Sequence, residues 1–329
     1  MKQTIFISIV GYRDPLLYTT IREAFKNAKH KDRLRFGIVD QSFPWETIDW
    51  NSLPFKKQVS YLRFDPEYAR GVCWARNLAQ SLYQGEDFFF QCDSHTLFDP
   101  DWDDILVTQF NDLKLYHEKP VISAYPHAFE AIDNNILNLK KTKYDGLMAL
   151  IADEDNSFIF QEDYDNYYVG TKTHIIGKKE PVHGFMMGAN FLFLGGQSVE
   201  EIPYDPFLFF SGEEHSLALR YYTHGYNIFH VPEIPIYHYY GRDYRTTMWS
   251  DDKVQEKKSS GQKWWEMDLK SKARLKQIVS GMTGTYGLGN VRTVEQYINW
   301  CGIDYFSKKL EPEAKTGETI FEIDYRDKI

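Results

Sequence analysis

An aspartate and a histidine, Asp93 and His95, flank Ser94 directly after the run Asp87-Phe88-Phe89-Phe90-Gln91-Cys92. At that spacing both side chains can reach one side of a tight bend. A carboxylate and an imidazole suit Mn²⁺ or a similar divalent ion such as Mg²⁺, with diphosphate oxygens and water filling the rest of the shell. The plainer alternative is an Asx-type turn beside a surface histidine. The strand context favours the site, because open α/β sheets bind ligands off the carboxyl ends of their strands. A third ligand is then needed. His238, in Ile236-Tyr237-His238-Tyr239-Tyr240-Gly241-Arg242, follows an extended, Pro-flanked run and precedes a glycine. It suits a loop folding back over the site. His230 competes, but it lies inside the extended run and reads better as a packed core histidine.

A basic group lies upstream. Arg13 follows the first strand in Gly11-Tyr12-Arg13-Asp14, and Arg70 and Arg76 bracket a helix start in Ala69–Asn77. Loops after a first strand and helix N-termini suit phosphate and nucleotide binding. Asp40, ending the second strand, suits a ribose or uracil group. The alternative for each is a surface salt bridge. Glu213 and Glu214 follow Ser211-Gly212 and open a helix. Acids there complement the helix dipole. As catalytic groups they would face an acceptor hydroxyl or a donor sugar. Adjacent residues diverge on a helix, so one of the pair points into the site.

The elements that must hold these groups read as an α/β chain. The apolar run at 4–10, bounded by Gly11, predicts a central parallel strand, followed by a helix over 15–29 and a strand over 34–40. Strand, helix, strand at this spacing opens a doubly wound sheet. Further strands are expected at 59–64, 87–92, 120–125 and 184–194, with helices at 71–83, 101–113 and 213–222. Residues 126–180 read as loops and hairpins that build part of a site wall. Residues 226–238 read as extended. After Arg245 the character changes: a helical stretch over 251–280, a glycine-rich turn at 281–289, a helix over 291–309 and a tail strand at 319–324. These features divide the chain into residues 1–245, which carry the site, and a helical extension, residues 246–329.

Composition narrows the function classes. The 329 residues carry a net charge of −9, a field that repels a polyanion and excludes general nucleic-acid binding. Aromatic residues make up 16% of the chain, which suits stacking on bases or sugar faces, although many such rings simply fill a core. Cys73, Cys92 and Cys301 are odd in number and form no CxxC pair, so a reducing compartment is the simpler reading. The first apolar run is too short for a membrane span and lacks a cleavage site, and no other stretch approaches one. A soluble, cytoplasmic protein is expected. No Walker A loop, GxGxxG, GxSxG or HExxH pair occurs.

Several segments together resemble a known family. They are Ile7–Asp14, Arg70–Asn77, Gln91–His95 with Phe98 and Trp102, Ser211–Glu214, His238–Arg242 and Tyr286–Thr293. The chain resembles the GlcNAc-type glycosyltransferases that include cytoplasmic polypeptide–hydroxyproline α-N-acetylglucosaminyltransferases. That family is related to the mucin-type polypeptide GalNAc-transferases, which also use an Asp-x-His triplet. The resemblance runs from about residue 4 to about residue 305. It implies a GT-A fold, with a mostly parallel sheet and flanking helices. It also implies a UDP-sugar donor (UDP-GlcNAc first), Mn²⁺, and transfer with retention to a protein or glycan acceptor. On that resemblance Asp93, His95 and His238 are metal ligands, and the Arg13 and Arg70–Arg76 segments contact the donor. Three alternatives remain: a nucleotidyltransferase making sugar nucleotides, for which Gly11–Pro15 is a poor loop, an inactive glycan-binding protein, and a metal-dependent hydrolase, against which stands the lack of a HExxH-like pair.

Overall fold

The computed structural model describes residues 3–47, 49–133, 135–157 and 167–329. The first apolar run folds as β1 (Ile5–Tyr12), followed by α1 (Leu17–Asn27), β2 (Leu34–Gln41), β3 (Val59–Arg63), α2 (Val72–Gln80) and β4 (Phe88–Asp93). Ile5, Ile7 and Ile9 share a core with Leu17, Ile21 and Ala24 of α1. Val10 packs with Val39 and with Ala75 and Ala79 of α2. Apolar side chains on both faces are what a strand between two helical layers requires.

β1 is parallel to β2 on one side and to β4 on the other, and β2 is parallel to β3. The chain therefore leaves β1 in one direction, to β2 and β3, and then returns to β1's other edge as β4. This reversal is a topological switch point, where a crevice opens at the carboxyl ends. Val10 lies opposite Asp93 across it.

β5 (Thr96–Phe98), α3 (Trp102–Lys114) and β6 (Pro120–Ser123) come next. Trp102 is fully buried and its Nε1–H donates to the Ala24 carbonyl at 2.8 Å, tying α3 to α1. The 126–180 region holds β7 (His127–Ile132) paired with β8 (Asn135–Thr142), and β9 (Leu147–Asp153) paired with β10 (Gly170–Ile176). Residues 158–166 of that region lie outside the described residues. β11 (Val182–Gly184), β12 (Phe191–Gly195), α4 (Ser198–Glu201), α5 (Glu213–Thr223), β13 (Asn227–His230) and β14 (Ile236–His238) complete the sheets. The large sheet has the order β11-β13-β6-β12-β4-β1-β2-β3, and a smaller one has β5-β14-β7-β8.

Five sequence expectations change in the structure. The strand expected over 184–194 is confined to β12, because residues 185–190 turn away from the sheet. Gly188 N–H donates to Ser123 Oγ, and a Cβ on Gly188 would lie 2.7 Å from the Ala124 carbonyl. The extended run 226–238 is two strands in different sheets, broken by Pro232 and Pro235. The tail strand at 319–324 is instead helical: after α6 (Asp252–Lys257), α7 (Trp264–Val279), α8 (Val294–Cys301), β15 (Ile303–Asp304), β16 (Lys309–Leu310) and α9 (Pro312–Thr316), the chain forms α10 (Glu318–Glu322). Gly317, at φ +65°, ends α9, and the helical bond from Phe321 N–H to the Gly317 carbonyl buries Ile320 and Phe321 together.

The helix expected over 251–280 is likewise two. Asp251 caps α6, and the Glu266 carboxylate accepts from Gly261 and Lys263 N–H at a new start for α7. The helix expected over 291–309 stops at Gly302, at φ +72°. Leu275, Ile278, Tyr297 and Phe321 join the same apolar core as the large sheet. α7 also fixes a loop that reaches the site. Ser271 Oγ accepts from Phe209 N–H and donates to the Ser211 carbonyl, and Arg274 pairs with Asp205 at 2.7 Å.

Candidate active site

A cavity of about 390 Å³ opens at the switch point. Its floor is the ends of β1 and β4, α2 supplies Arg76, and the first turn of α5 supplies Glu213 and Glu214. Residues 238–249 form one wall with His238, Tyr240, Arg242, Arg245, Thr247, Met248 and Trp249. That wall draws on both sides of residue 245.

Asp93, His95 and His238 each offer one ligand atom, and these atoms lie within 4.8 Å of one another. Two backbone facts bring them together. Asp93 ends β4 and the chain turns at once into β5. β14 pairs antiparallel with β5, setting His238 opposite Thr96. His238 is thus the last residue of a paired strand, where the sequence reading had a loop. His238 Nε2 lies 3.1 Å and His95 Nε2 3.7 Å from Asp93 Oδ2. Burial pushes the His238 imidazole down to about 4, with the Asp93 hydrogen bond opposing it. It is therefore neutral at pH 7, and Nε2 is the nitrogen that faces Asp93. Burial raises the Asp93 carboxyl, but the His238 hydrogen bond and Arg76 outweigh it and hold that carboxyl far below the usual range. His230 is a fully buried core residue, bonded to the Ser123 carbonyl and to Leu150 N–H.

Asp14 orients His95. Its Oδ2 accepts from His95 Nδ1 at 2.7 Å and from Ser94 Oγ at 2.7 Å, while Oδ1 accepts from Leu16 N–H. Tyr244 also donates to Asp14, and Arg245 lies 3.8 Å away. Burial opposes the charge on Asp14, but His95, Arg245 and Ser94 together outweigh it and lower the carboxyl. The carboxylate at Nδ1 turns Nε2 toward Asp93, the second-layer arrangement of metal-binding histidines. One carboxylate and two imidazoles so arranged fit a divalent ion and leave coordination positions for phosphate oxygens and water.

The other expected site residues divide. Arg76 lines the cavity, but its guanidinium is spent on protein carboxylates: Nη2 donates to Asp93 Oδ1 at 2.6 Å and Nη1 donates to Glu213. Glu214 Oε1 accepts from Ala189 N–H at 2.9 Å and Oε2 from Tyr125 Oη at 2.6 Å. Burial pushes the Glu214 carboxyl up to about 7, against those two donors. Arg13, Asp40 and Arg70 are not brought to the cavity wall. Arg13 is held by Glu46 at 2.5 Å and Asp251 at 2.7 Å. Asp40 is buried and accepts from Tyr61 Oη. Arg70 is exposed and lies over the Trp74 ring. Sequence reasoning gave no role to Asp14, Tyr125, Arg242 or Arg245. The signals were adjacent: Asp14 follows Arg13, and Arg242 and Arg245 follow His238 in one short segment.

Gly71, the residue before α2, lets the cavity form. It sits at φ +104°, and a Cβ there would lie 2.3 Å from the Phe209 carbonyl oxygen. Only glycine allows this close approach.

Comparison with known proteins bears on the fold and the family. No curated protein matches the chain. The crystal structure of GalNAc-T7 with UDP, GalNAc and Mn²⁺ is similar, with a TM-score of 0.59 and 13% identity, over 94% of this chain and 59% of that one. The likeness is one of fold, the GT-A type that the sequence resemblance implied, and the chain spans 59% of the length of that relative. A family model described as Glycosyltransferase (GlcNAc) matches residues 4–54 and 44–307, and on that match the chain belongs to the GlcNAc glycosyltransferase family.

Proposed function

We propose that the chain is a metal-dependent, retaining glycosyltransferase that moves GlcNAc or a related hexose from a UDP-sugar to a hydroxyl of a protein or glycan. The observation that carries this reading is the convergence of Asp93, His95 and His238 at a switch-point cavity, in a chain of this family. Those three residues would hold Mn²⁺ or Mg²⁺. When bound, the ion supplies charge neutralisation for the departing diphosphate.

The chain's own residues account for the rest. Arg242 and Arg245 line the cavity beside the ligands and suit the diphosphate oxygens. Tyr125, Tyr240 and Trp249 present rings for a base or a sugar face. In the transfer the bond from the sugar's anomeric carbon to phosphate oxygen breaks, and a bond to the acceptor oxygen forms on the same face. The acceptor proton passes to the departing phosphate, so no strong base is required. Glu214 is the acid we assign to orienting a sugar or acceptor hydroxyl. Residues 1–245 form the catalytic part in this reading, and the extension 246–329 completes its wall.

A cytoplasmic location fits the three free, buried cysteines. No helix among the described residues is long and apolar enough to cross a membrane. The test is Mn²⁺-dependent UDP release by wild type, Asp93→Ala and His95→Ala, with calorimetry of UDP binding. Loss of release in both variants supports the reading, and full activity in both refutes the ligand set. Glycan binding with no UDP response would favour the lectin-like alternative.

A further inference from the structure

The cation site contains one acid, and that acid is already paired. Asp93 Oδ1 accepts from Arg76 Nη2 at 2.6 Å, leaving Oδ2 to face the two histidines. The Arg76 guanidinium offsets the charge of the one carboxylate that faces the site. A guanidinium this close to the carboxylate ligand works against the approach of a dication. On the far side of Arg76 stands Glu213, 6% exposed, accepting from Nη1.

We infer that Glu213 is a positioning residue of the cation site, holding Arg76 and offsetting its charge beside Asp93, and does not meet acceptor or donor. The inference rests on the cation reading above. The geometry supports it at three points. Arg76 is 3% exposed and its planar fork spans both carboxylates, so the two acids are linked through one rigid group. Tyr204 locks the fork: its hydroxyl accepts from Arg76 Nη1 at 3.3 Å and from Gln91 Nε2 at 2.8 Å. Glu213 is fixed in turn by its helix start, where Gly212 at φ +89° turns the chain against Leu275 of α7. Arg76 is shared between Asp93 and Glu213, so without the Glu213 carboxylate its whole charge would oppose a cation at Asp93. A cation site of this kind responds strongly to partners behind its ligands.

The experiment is Mn²⁺ titration of the full chain by calorimetry, with circular dichroism to verify folding. Glu213→Gln keeps the shape and removes the charge, and its Mn²⁺ Kd is expected to rise about tenfold. The double variant Arg76→Gln/Glu213→Gln removes a positive and a negative charge together and leaves Asp93 uncancelled. Its Kd is expected to return to within about threefold of wild type, a rescue that a purely structural role would not give. Because it leaves no lone buried charge at this pair, it also serves if the single variant does not fold. A Glu213→Gln Kd equal to wild type overturns the inference, as does a double variant that binds ten times more weakly than wild type. A wild-type chain that binds no Mn²⁺, or whose binding survives Asp93→Asn unchanged, overturns the cation reading itself. Wild-type binding lost in Asp93→Asn but unaltered in Glu213→Gln overturns the inference alone.

Discussion

Replacing Asp14 by asparagine tests the site without touching a ligand. Asp14 is buried, and its Oδ2 accepts the His95 Nδ1–H at 2.7 Å. In Asp14→Asn the retained Oδ1 can still accept from Leu16 N–H, which opens α1, so the local fold has a route to survive. The new Nδ2 is a donor facing a donor. His95 then either keeps Nδ1–H against an opposing N–H, or moves its proton to Nε2 and loses the lone pair aimed at Asp93 Oδ2. Either outcome penalises the form that binds a cation. Loss of such a partner costs about 10- to 100-fold in metal affinity, or about 1.4–2.8 kcal/mol. Mn²⁺ titration of wild type, Asp14→Asn and His95→Ala measures it, with thermal melts reporting folding. Asp14→Asn bound within about twofold of wild type, while His95→Ala is weakened, would refute the idea that Asp14 sets the His95 proton.

Two further outcomes are expected. The Glu214 carboxyl titrates at about 7 in the folded chain, raised from 4.5 chiefly by burial, so the folded state holds a proton that the unfolded chain has released. Stability should therefore fall as pH rises from about 4.5 to 7, by at most roughly 3 kcal/mol, and Glu214→Gln should abolish that part of the decline. Denaturant midpoints at pH 5 and pH 8 for both proteins measure it, and identical pH slopes would count against the buried-carboxyl reading. Gly71→Ala places a Cβ 2.3 Å from the Phe209 carbonyl oxygen at φ +104°. It should cost at least about 2 kcal/mol in chemical denaturation and distort the start of α2. A loss below about 0.5 kcal/mol would mean that the Phe209 loop moves freely.

Buried carboxylates explain much of how this cavity is built. Asp14, Glu213 and Glu214 all accept hydrogen bonds from side chains on other elements: His95 and Tyr244, Arg76, and Tyr125 respectively. Each bond ties a strand end or helix start to the cavity wall. The cavity is therefore held by polar groups that are also charges, and substitutions in it will couple stability to ligand binding.

By itself the sequence determined the parts whose signal is local. Unbroken apolar runs placed β1, β2 and β4, since a strand covered on both faces has no polar alternation. The position of Asp93 and His95 at the end of β4 was legible because both belong to one short segment. The preference for His238 over His230 was readable too: the structure puts His230 in the core, bonded to the Ser123 carbonyl, and His238 within reach of Asp93. Only the tertiary structure decided how distant segments meet. The His95–Asp14 bond joins residues 81 positions apart, and Arg76 reaches Glu213 across 137. The pairing of β14 with β5 sets His238 beside Asp93, and no spacing in the chain encodes that register. The same limit explains Arg76 and Arg13. A cation at a helix start or after a strand reads as a phosphate contact, yet its partner is whichever carboxylate folding delivers. For Arg76 those are Asp93 and Glu213, and for Arg13 they are Glu46 and Asp251. Residue types and local periodicity fix what a segment can do, and long-range packing fixes which group it does it to.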